Sequence, residues 1–345
     1  RDSNGNLTVD STQWPDGMRA LTDWLHAQGL QAGIYTDAGS SGCSGQGVGS
    51  YNHYQQDANQ FAAWGFDAVK VDFCGALEQG LGDPRPLYQA FSNALANNAS
   101  GRPMILNVCN FWTPNQYQGT QPSFANSSWD TYTWAPAVSQ SWRTDTDIGG
   151  TGSIQFVNVL RNLRHDTGTA SNASQPGIQS AAGPPGSTPY GLSAVPWGHW
   201  NDPDYLGPGL SMTDTQAQSQ FSMWAIVAAP LILGSDPRAL SSTSITMLKN
   251  ANVIAVDQDS LGIQGYPITQ PSSTAQVWVK PLASGARAVA LFNTGSTTAQ
   301  ITTSASAVGM PAARRYHLLN LWTNQTSATR GTISASVPAN AVVLY

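Results

Sequence analysis

Acidic and polar side chains recur where short apolar runs end. Asp37 lies in "GIYTDAG", Asp72 in "AVKVDFCG", Asn110 follows "MILNVC", Asp145 and Asp147 lie in "SWRTDTDIG", and Asp202 and Asp204 in "WGHWNDPDYL". A carboxylate closing a buried apolar strand is costly unless it is solvated or paired. Lys70, two residues before Asp72, points to the same side of such a strand, and its charge would keep Asp72 ionised. A purely structural Lys–Asp pair at a strand end suits the same residues. Asp147 lies just past a run carrying Arg143. One carboxylate kept ionised and a second kept protonated is the arrangement used in glycoside hydrolysis. In a retaining enzyme the two carboxyl groups stand roughly 5–5.5 Å apart. "DTDIGG" would equally suit a solvated turn or an ion site.

Other chemistries lack their parts. There is no G-x-S-x-G elbow and no H-E-x-x-H, and the five histidines (His26, His53, His165, His199, His317) fall on helices, in loops or in the C-terminal region. His199, beside Trp200, is the one near the proposed site and reads as structural. Asp pairs at i and i+2 recur at 145/147, 202/204 and 257/259, which is weak evidence for calcium. Without an EF-hand pattern no metal or other cofactor is expected.

The elements that must position these residues follow from periodicity. Met18, Leu21 and Leu25 mark a helix over Pro15–Gln28, with Gly29 as its stop. Strands are expected at Leu30–Tyr35, Asp67–Asp72, Met104–Cys109, Trp142–Thr144, Val195–Trp200 and Pro230–Gly234. Helices are expected at Tyr54–Trp64, Leu87–Asn97, Ile154–His165 and Thr215–Ala228. Alternating strands and helices predict a parallel sheet. About six repeats are visible, two short of a closed (β/α)₈ TIM barrel, in which strand ends share one face and distant residues converge. The long Trp-, Tyr- and Asn-rich stretch from Asn110 to Ser141 is expected to be functional. From Ala275 to Tyr345 short alternating runs separated by turn residues predict an antiparallel β-sandwich. The expected domains are therefore 1–268 and 269–345.

Composition narrows the class. Only 10% of the 345 residues are charged, the net charge is -5, and lysine occurs only at 70, 249 and 280. Without basic clusters, nucleic acid and anionic membrane surfaces are not expected partners. No run approaches the roughly 20 apolar residues that span a bilayer. Twelve Trp suit both core packing and stacking on sugar faces. A Ser/Thr-rich surface with five N-x-[ST] sequons resembles secreted proteins. Cys43, Cys74 and Cys109 allow one disulfide and one free thiol.

Taken together, the motifs "GIYTDAG", "AVKVDFC", "SWRTDTDI", "GHWNDPDYL" and "VIAVDQDSLG", in this order and spacing, resemble glycoside hydrolase family 27, the clan D α-galactosidases, over nearly the whole chain. The resemblance implies an exo-acting retaining enzyme that releases terminal α-D-galactose from an oligo- or polysaccharide. Asp72 would attack C1; Asp147 would protonate the leaving oxygen and later deprotonate water. Tyr35 and Lys70 would bind the sugar, with Arg143 near its 2-position and Asp204 beside the anomeric region. A Cys43–Cys74 disulfide is implied, which suits an oxidising, extracellular setting. Three departures stand out. The family's opening strands are absent, so the barrel is expected to be N-terminally incomplete. Asn110 stands where α-galactosidases carry Glu toward the 2-hydroxyl, and Tyr205 replaces a Met. Relatives with the same chemistry (β-L-arabinopyranosidase, α-N-acetylgalactosaminidase, isomaltose-releasing dextranase) remain open, as does a non-catalytic sugar-binding protein on the same scaffold. The oligomeric state is not legible.

Overall fold

The computed structural model describes residues 1–109, 131–150, 153–166, 199–269 and 273–345. They form two compact units, Arg1–Arg143 and Thr144–Tyr345.

The first unit is built on strand–helix alternation. Its elements are α1 (Gly17–Ala27), β1 (Gly33–Asp37), α2 (Tyr54–Ala63), β2 (Ala68–Asp72), α3 (Cys74–Glu78), α4 (Pro84–Ala96), β3 (Ile105–Val108), α5 (Thr131–Val138) and β4 (Ser141–Arg143). The strands pair in parallel in sequence order. Register sets Tyr35 beside Lys70, Lys70 beside Asn107, and Asp37 beside Asp72. Because side chains alternate along a strand, Tyr35, Asp37, Lys70, Asp72 and Asn107 share one face. Val69, Val71 and Val108 are fully buried on the other, with Phe61, Tyr88 and Phe91 from the helices also buried.

Strand β1 starts three residues later than its apolar run predicts. Gly29, at φ +75°, ends α1; its N–H donates to the His26 carbonyl, and that of Leu30 to the Leu25 carbonyl. This is a Schellman cap, which holds Leu30 at the helix end and away from the sheet. Helix α4 starts earlier than predicted. Asp83 caps it by accepting from the Arg85 N–H, and Pro84 occupies the first turn, where no N–H is needed.

The second unit holds the short strands β5 (Gly149–Gly150) and β6 (Ser153–Ile154), then α6 (Phe156–Asp166), β7 (Trp200–Asp202), α7 (Asp214–Val227), α8 (Ser242–Leu248) and α9 (Ala251–Asp257). Thr213 and Gln216 cap α7 reciprocally. Of the expected strand Val195–Trp200, residues 195–198 lie outside the described set, and Trp200 opens β7. The expected strand at Pro230–Gly234 is reduced to one parallel bridge between Leu233 and Leu206. Pro230 has no N–H to offer a ladder, and the Tyr205 ring lies against Gly234.

Eight antiparallel strands follow: β8 (Tyr266–Pro267), β9 (Ala275–Pro281), β10 (Arg287–Asn293), β11 (Ala299–Ser304), β12 (Tyr316–Leu319), β13 (Thr326–Thr329), β14 (Thr332–Val337) and β15 (Val342–Leu344). They pair as β15–β10–β9–β8, β11–β14 and β12–β13. Both faces of β9 and β10 are buried. Val277, Val279, Val289 and Leu291 fill the sandwich interior with Ile301, Ile333 and Val337. Trp278, Ala290 and Phe292 pack with Phe221 and Trp224 of α7, and the C-terminal half of α7 is buried around its circumference, Ser219, Gln220 and Ser222 included.

Candidate active site

The carboxylate of Asp72 stands at the C-terminal end of β2 and is 9% exposed. The Tyr35 hydroxyl donates to its Oδ2 at 3.0 Å, and the Phe73 N–H to its Oδ1 at 2.9 Å. Both oxygens are therefore oriented in a nearly buried group. Tyr35 is 48% exposed, and its ring lies 5.8 Å from the Lys70 ammonium. Burial, the negative charge of Asp72 and the hydrogen bond to it together raise the Tyr35 phenol, so it remains a proton donor to the carboxylate. The structure brings Lys70 and Asp72 to one face as their spacing implies, and sets Tyr35, implied by the family resemblance, beside them.

Asp37, another acid at a strand end, has a different role. It is fully buried, and its carboxylate accepts from the N–H groups of Gly39, Gly75 and Ala76 at 2.6, 2.9 and 3.1 Å. It thus holds the first turn of α3 beside the loop after β1. Burial raises its carboxyl above the ordinary carboxylate value even though these donors oppose the rise. A Cβ on Gly75 would collide with the Ser41 carbonyl, so this close approach requires glycine. The same junction carries the Cys43–Cys74 disulfide. Asp37, Cys43, Asp72 and Cys74 place oxygens and sulfurs within 4.8 Å of one another. The sulfurs are engaged in the disulfide and Asp37 in backbone contacts, so the cluster lacks the thiolates and open carboxylates that bind metal.

Arg143 ends β4 and is 2% exposed, with Nη1 3.8 Å from the sulfur of Cys109, the free cysteine. The Tyr88 hydroxyl sits 3.0 Å from the Val71 carbonyl and 2.6 Å from that of Cys109, tying α4 to the ends of β2 and β3. Asn110 lies outside the described residues.

In the second unit Asp147 is exposed, whereas Asp145 is 2% exposed and pairs with Arg161 of α6 at 3.4 Å. Around Asp147 the backbone is held on both sides. Arg161 Nη2 donates to the Asp147 carbonyl at 3.1 Å, and the Ile148 N–H donates to Asp204 Oδ2 at 2.9 Å. Asp204 itself is 4% exposed, has a left-handed φ of +90°, and accepts on Oδ1 from the Tyr205 N–H at 2.8 Å. Its N–H donates to Asp202 Oδ1, and its carbonyl accepts from Trp224 Nε1 at 2.7 Å. A strained non-glycine backbone persists only where its surroundings over-determine it, and these contacts do so. Asp204 is therefore joined to the Asp147 loop by its own carboxylate. That role, like those of Asp37, Arg161 and Asn162, was not visible in local sequence patterns, because the partners lie tens of residues apart. The glycine after Cys74 was the one local signal of the close approach at Asp37.

The family model described as alpha galactosidase A matches residues 1–259, and the α-galactosidase C-terminal beta sandwich domain matches 272–345. An α-galactosidase from Oryza sativa subsp. japonica is 34% identical over 346 residues, covering 100% of this chain and 72% of its own length. One from Coffea arabica is 37% identical over 346 residues, covering 100% and 79%. An α-N-acetylgalactosaminidase from Gallus gallus is 32% identical over 329 residues, covering 94% and 72%. The crystal structure of α-galactosidase I from Mortierella vinacea superposes with a TM-score of 0.79 at 25% identity, covering 100% of this chain and 83% of that one.

Proposed function

The chain belongs to glycoside hydrolase family 27, the α-galactosidase family, and from that premise we propose that Asp72 and Asp147 are its nucleophile and its general acid/base. It is a galactose-releasing glycosidase with the family's fold, a (β/α)₈ barrel followed by an antiparallel β-sandwich. The observation that carries the nucleophile assignment is the setting of Asp72, a nearly buried carboxylate held on both oxygens at the C-terminal end of an apolar strand.

In the first step an Asp72 oxygen bonds to C1 of the galactosyl unit while the C1–O bond to the leaving group breaks. The Asp147 carboxyl passes its proton to the departing oxygen. In the second step the Asp147 carboxylate takes a proton from water, whose oxygen bonds to C1 and releases Asp72, so the anomeric configuration is retained. Tyr35 keeps Asp72 oriented for attack and, with Lys70, lines the galactose pocket. Arg143 and Asn110 are assigned to recognition of the 2-position, and Asp204 to the anomeric region. The substrate is an oligo- or polysaccharide bearing terminal α-galactose. The catalytic domain spans residues 1–268 and the sandwich 269–345. The disulfide fits an extracellular setting, and among the described residues no helix is long and apolar enough to cross a membrane.

The test is Asp72→Asn, which is expected to abolish turnover and preserve galactose binding. Full activity in that variant sinks the mechanism. A comparison of kcat/KM on aryl α-galactoside, β-L-arabinopyranoside and α-N-acetylgalactosaminide sets the specificity. Preference for the α-galactoside is expected; preference for the N-acetylated sugar would align the pocket with the Gallus gallus relative.

A further inference from the structure

Asn162 lies in the middle of α6, is fully buried, and spends its side-chain Nδ2 on two loops. Its Nδ2 donates to the Thr146 carbonyl at 2.7 Å and to the Pro203 carbonyl at 3.1 Å. These residues immediately precede Asp147 and Asp204. Its Oδ1 accepts from Arg161 Nη2 at 2.9 Å and from Nε at 3.1 Å, and Arg161 Nη2 also reaches the Asp147 carbonyl at 3.1 Å. The two loops meet a second time where the Ile148 N–H donates to Asp204 Oδ2 at 2.9 Å. Each loop is thus fixed immediately before the acid it carries, and Asp147 is also fixed immediately after.

We propose that Asn162, oriented by Arg161, is a positioning residue for Asp147, setting the height of the acid/base loop against the Asp204 turn. The proposal rests on the assignment of Asp147 as general acid/base. The physical argument is one of alternatives. A buried carbonyl without a donor is costly, so loss of the Asn162 amide takes this donor from the buried Pro203 carbonyl and leaves Thr146 with the longer 3.4 Å contact from Arg161 Nη2, and the Asp147 loop moves with them. A displacement near 1 Å at a catalytic group costs on the order of 10²-fold in rate. Asp147 is exposed, its neighbours Asp145 and Ile148 are buried, and backbone contacts hold the loop on either side of it.

The test separates positioning from general damage by leaving-group dependence. A galactoside with a very good leaving group, such as 2,4-dinitrophenol, needs little proton donation for the first step; an alkyl galactoside needs all of it. Asn162→Leu, which keeps the volume and removes the donor, is expected to lose about 10²-fold in kcat/KM on methyl α-galactoside. On the dinitrophenyl substrate the loss should stay under about 5-fold, with the inhibition constant for free galactose unchanged. Azide, which attacks C1 of the galactosyl-enzyme without needing a base, should raise kcat on the dinitrophenyl substrate and give galactosyl azide. Arg161→Met, at a partly exposed position, provides a variant that folds if Asn162→Leu does not, and should show the same signature at smaller size. Asp147→Ala is measured alongside. If Asp147→Ala lacks the leaving-group dependence and azide rescue, the acid/base assignment fails and the positioning role with it. If Asp147→Ala shows both and the soluble Asn162 and Arg161 variants lose activity equally on all substrates, or not at all, the positioning role alone is overturned.

Discussion

A carboxylate that must attack carbon has to be held still without being neutralised, and Asp72 meets that demand with two donors. Tyr35 and the Phe73 amide fix its oxygens in a nearly buried position. A hydrogen bond to a charged group contributes roughly 1.5–3 kcal/mol. Tyr35→Phe is accordingly expected to lower kcat/KM on aryl α-galactoside by about 10-fold or more with the fold intact, and steady-state kinetics beside a thermal melt checks this. An unchanged kcat/KM would mean that the phenol does not orient the nucleophile. Part of the neighbourhood of Asp72 was legible because Lys70 and Asp72 obey a period of two on one strand; Tyr35, on the neighbouring strand, was implied by the family resemblance alone. The difference between Asp72 and Asp37 was not legible. Both end apolar strands in the same register, yet Asp37 spends its carboxylate on backbone N–H groups 38 and 39 residues away. No local pattern records which of two such acids faces the pocket and which faces a helix terminus.

At the scale of elements, the apolar runs located the sheet strands and the sandwich, and the errors have local causes. Leu30 is drawn into a helix cap, Pro230 cannot join a ladder, and the short helices α8 and α9 carry too few turns for a period to show. Helix α3, only five residues long, has no amphipathic signal at all and is held from outside. Its N-terminal turn leans on Asp37, and Cys74 ties it to the 3-10 turn at Cys43–Gly45 across 31 residues of chain. A cross-link closing a loop of this size contributes about 4 kcal/mol by restricting the unfolded chain. The double variant Cys43→Ser/Cys74→Ser should lose stability of that order in chemical denaturation. Because the same junction borders Asp72, it should also lose activity at temperatures where it is still folded. Equal denaturation midpoints with and without the cross-link would remove it from the account of this region.

For the molecule as a whole, stability against pH is governed by where its few charges are buried. Lys280, one of only three lysines, is fully buried on β9, with Nζ 3.0 Å from the Ala225 carbonyl and 3.3 Å from that of Asp257. These carbonyls close the last turns of α7 and α9, the negative ends of two helix dipoles, so one ammonium joins both helices to the sandwich strand. Burial pushes the Asp257 carboxyl up to about 6 and the Lys280 ammonium down to about 8, with the attraction between them opposing both shifts. The folded value of Asp257 exceeds the unfolded one of about 3.9. Its contribution is therefore full below about pH 4 and is lost as pH rises through about 6. The folded value of Lys280 lies below the unfolded one of about 10.4. Its penalty is in force below about pH 8 and is relieved as pH rises from there toward about 10. Between about pH 6 and 8 both groups are charged and both penalties act together. Compared with the double variant Asp257→Asn/Lys280→Met, the native protein should lose roughly 2–3 kcal/mol between pH 4 and 6 and recover a similar amount above pH 8. Urea denaturation of both proteins at intervals from about pH 4 to 10 measures that difference. A constant gap across the range would mean that the buried pair titrates as it does in the unfolded chain.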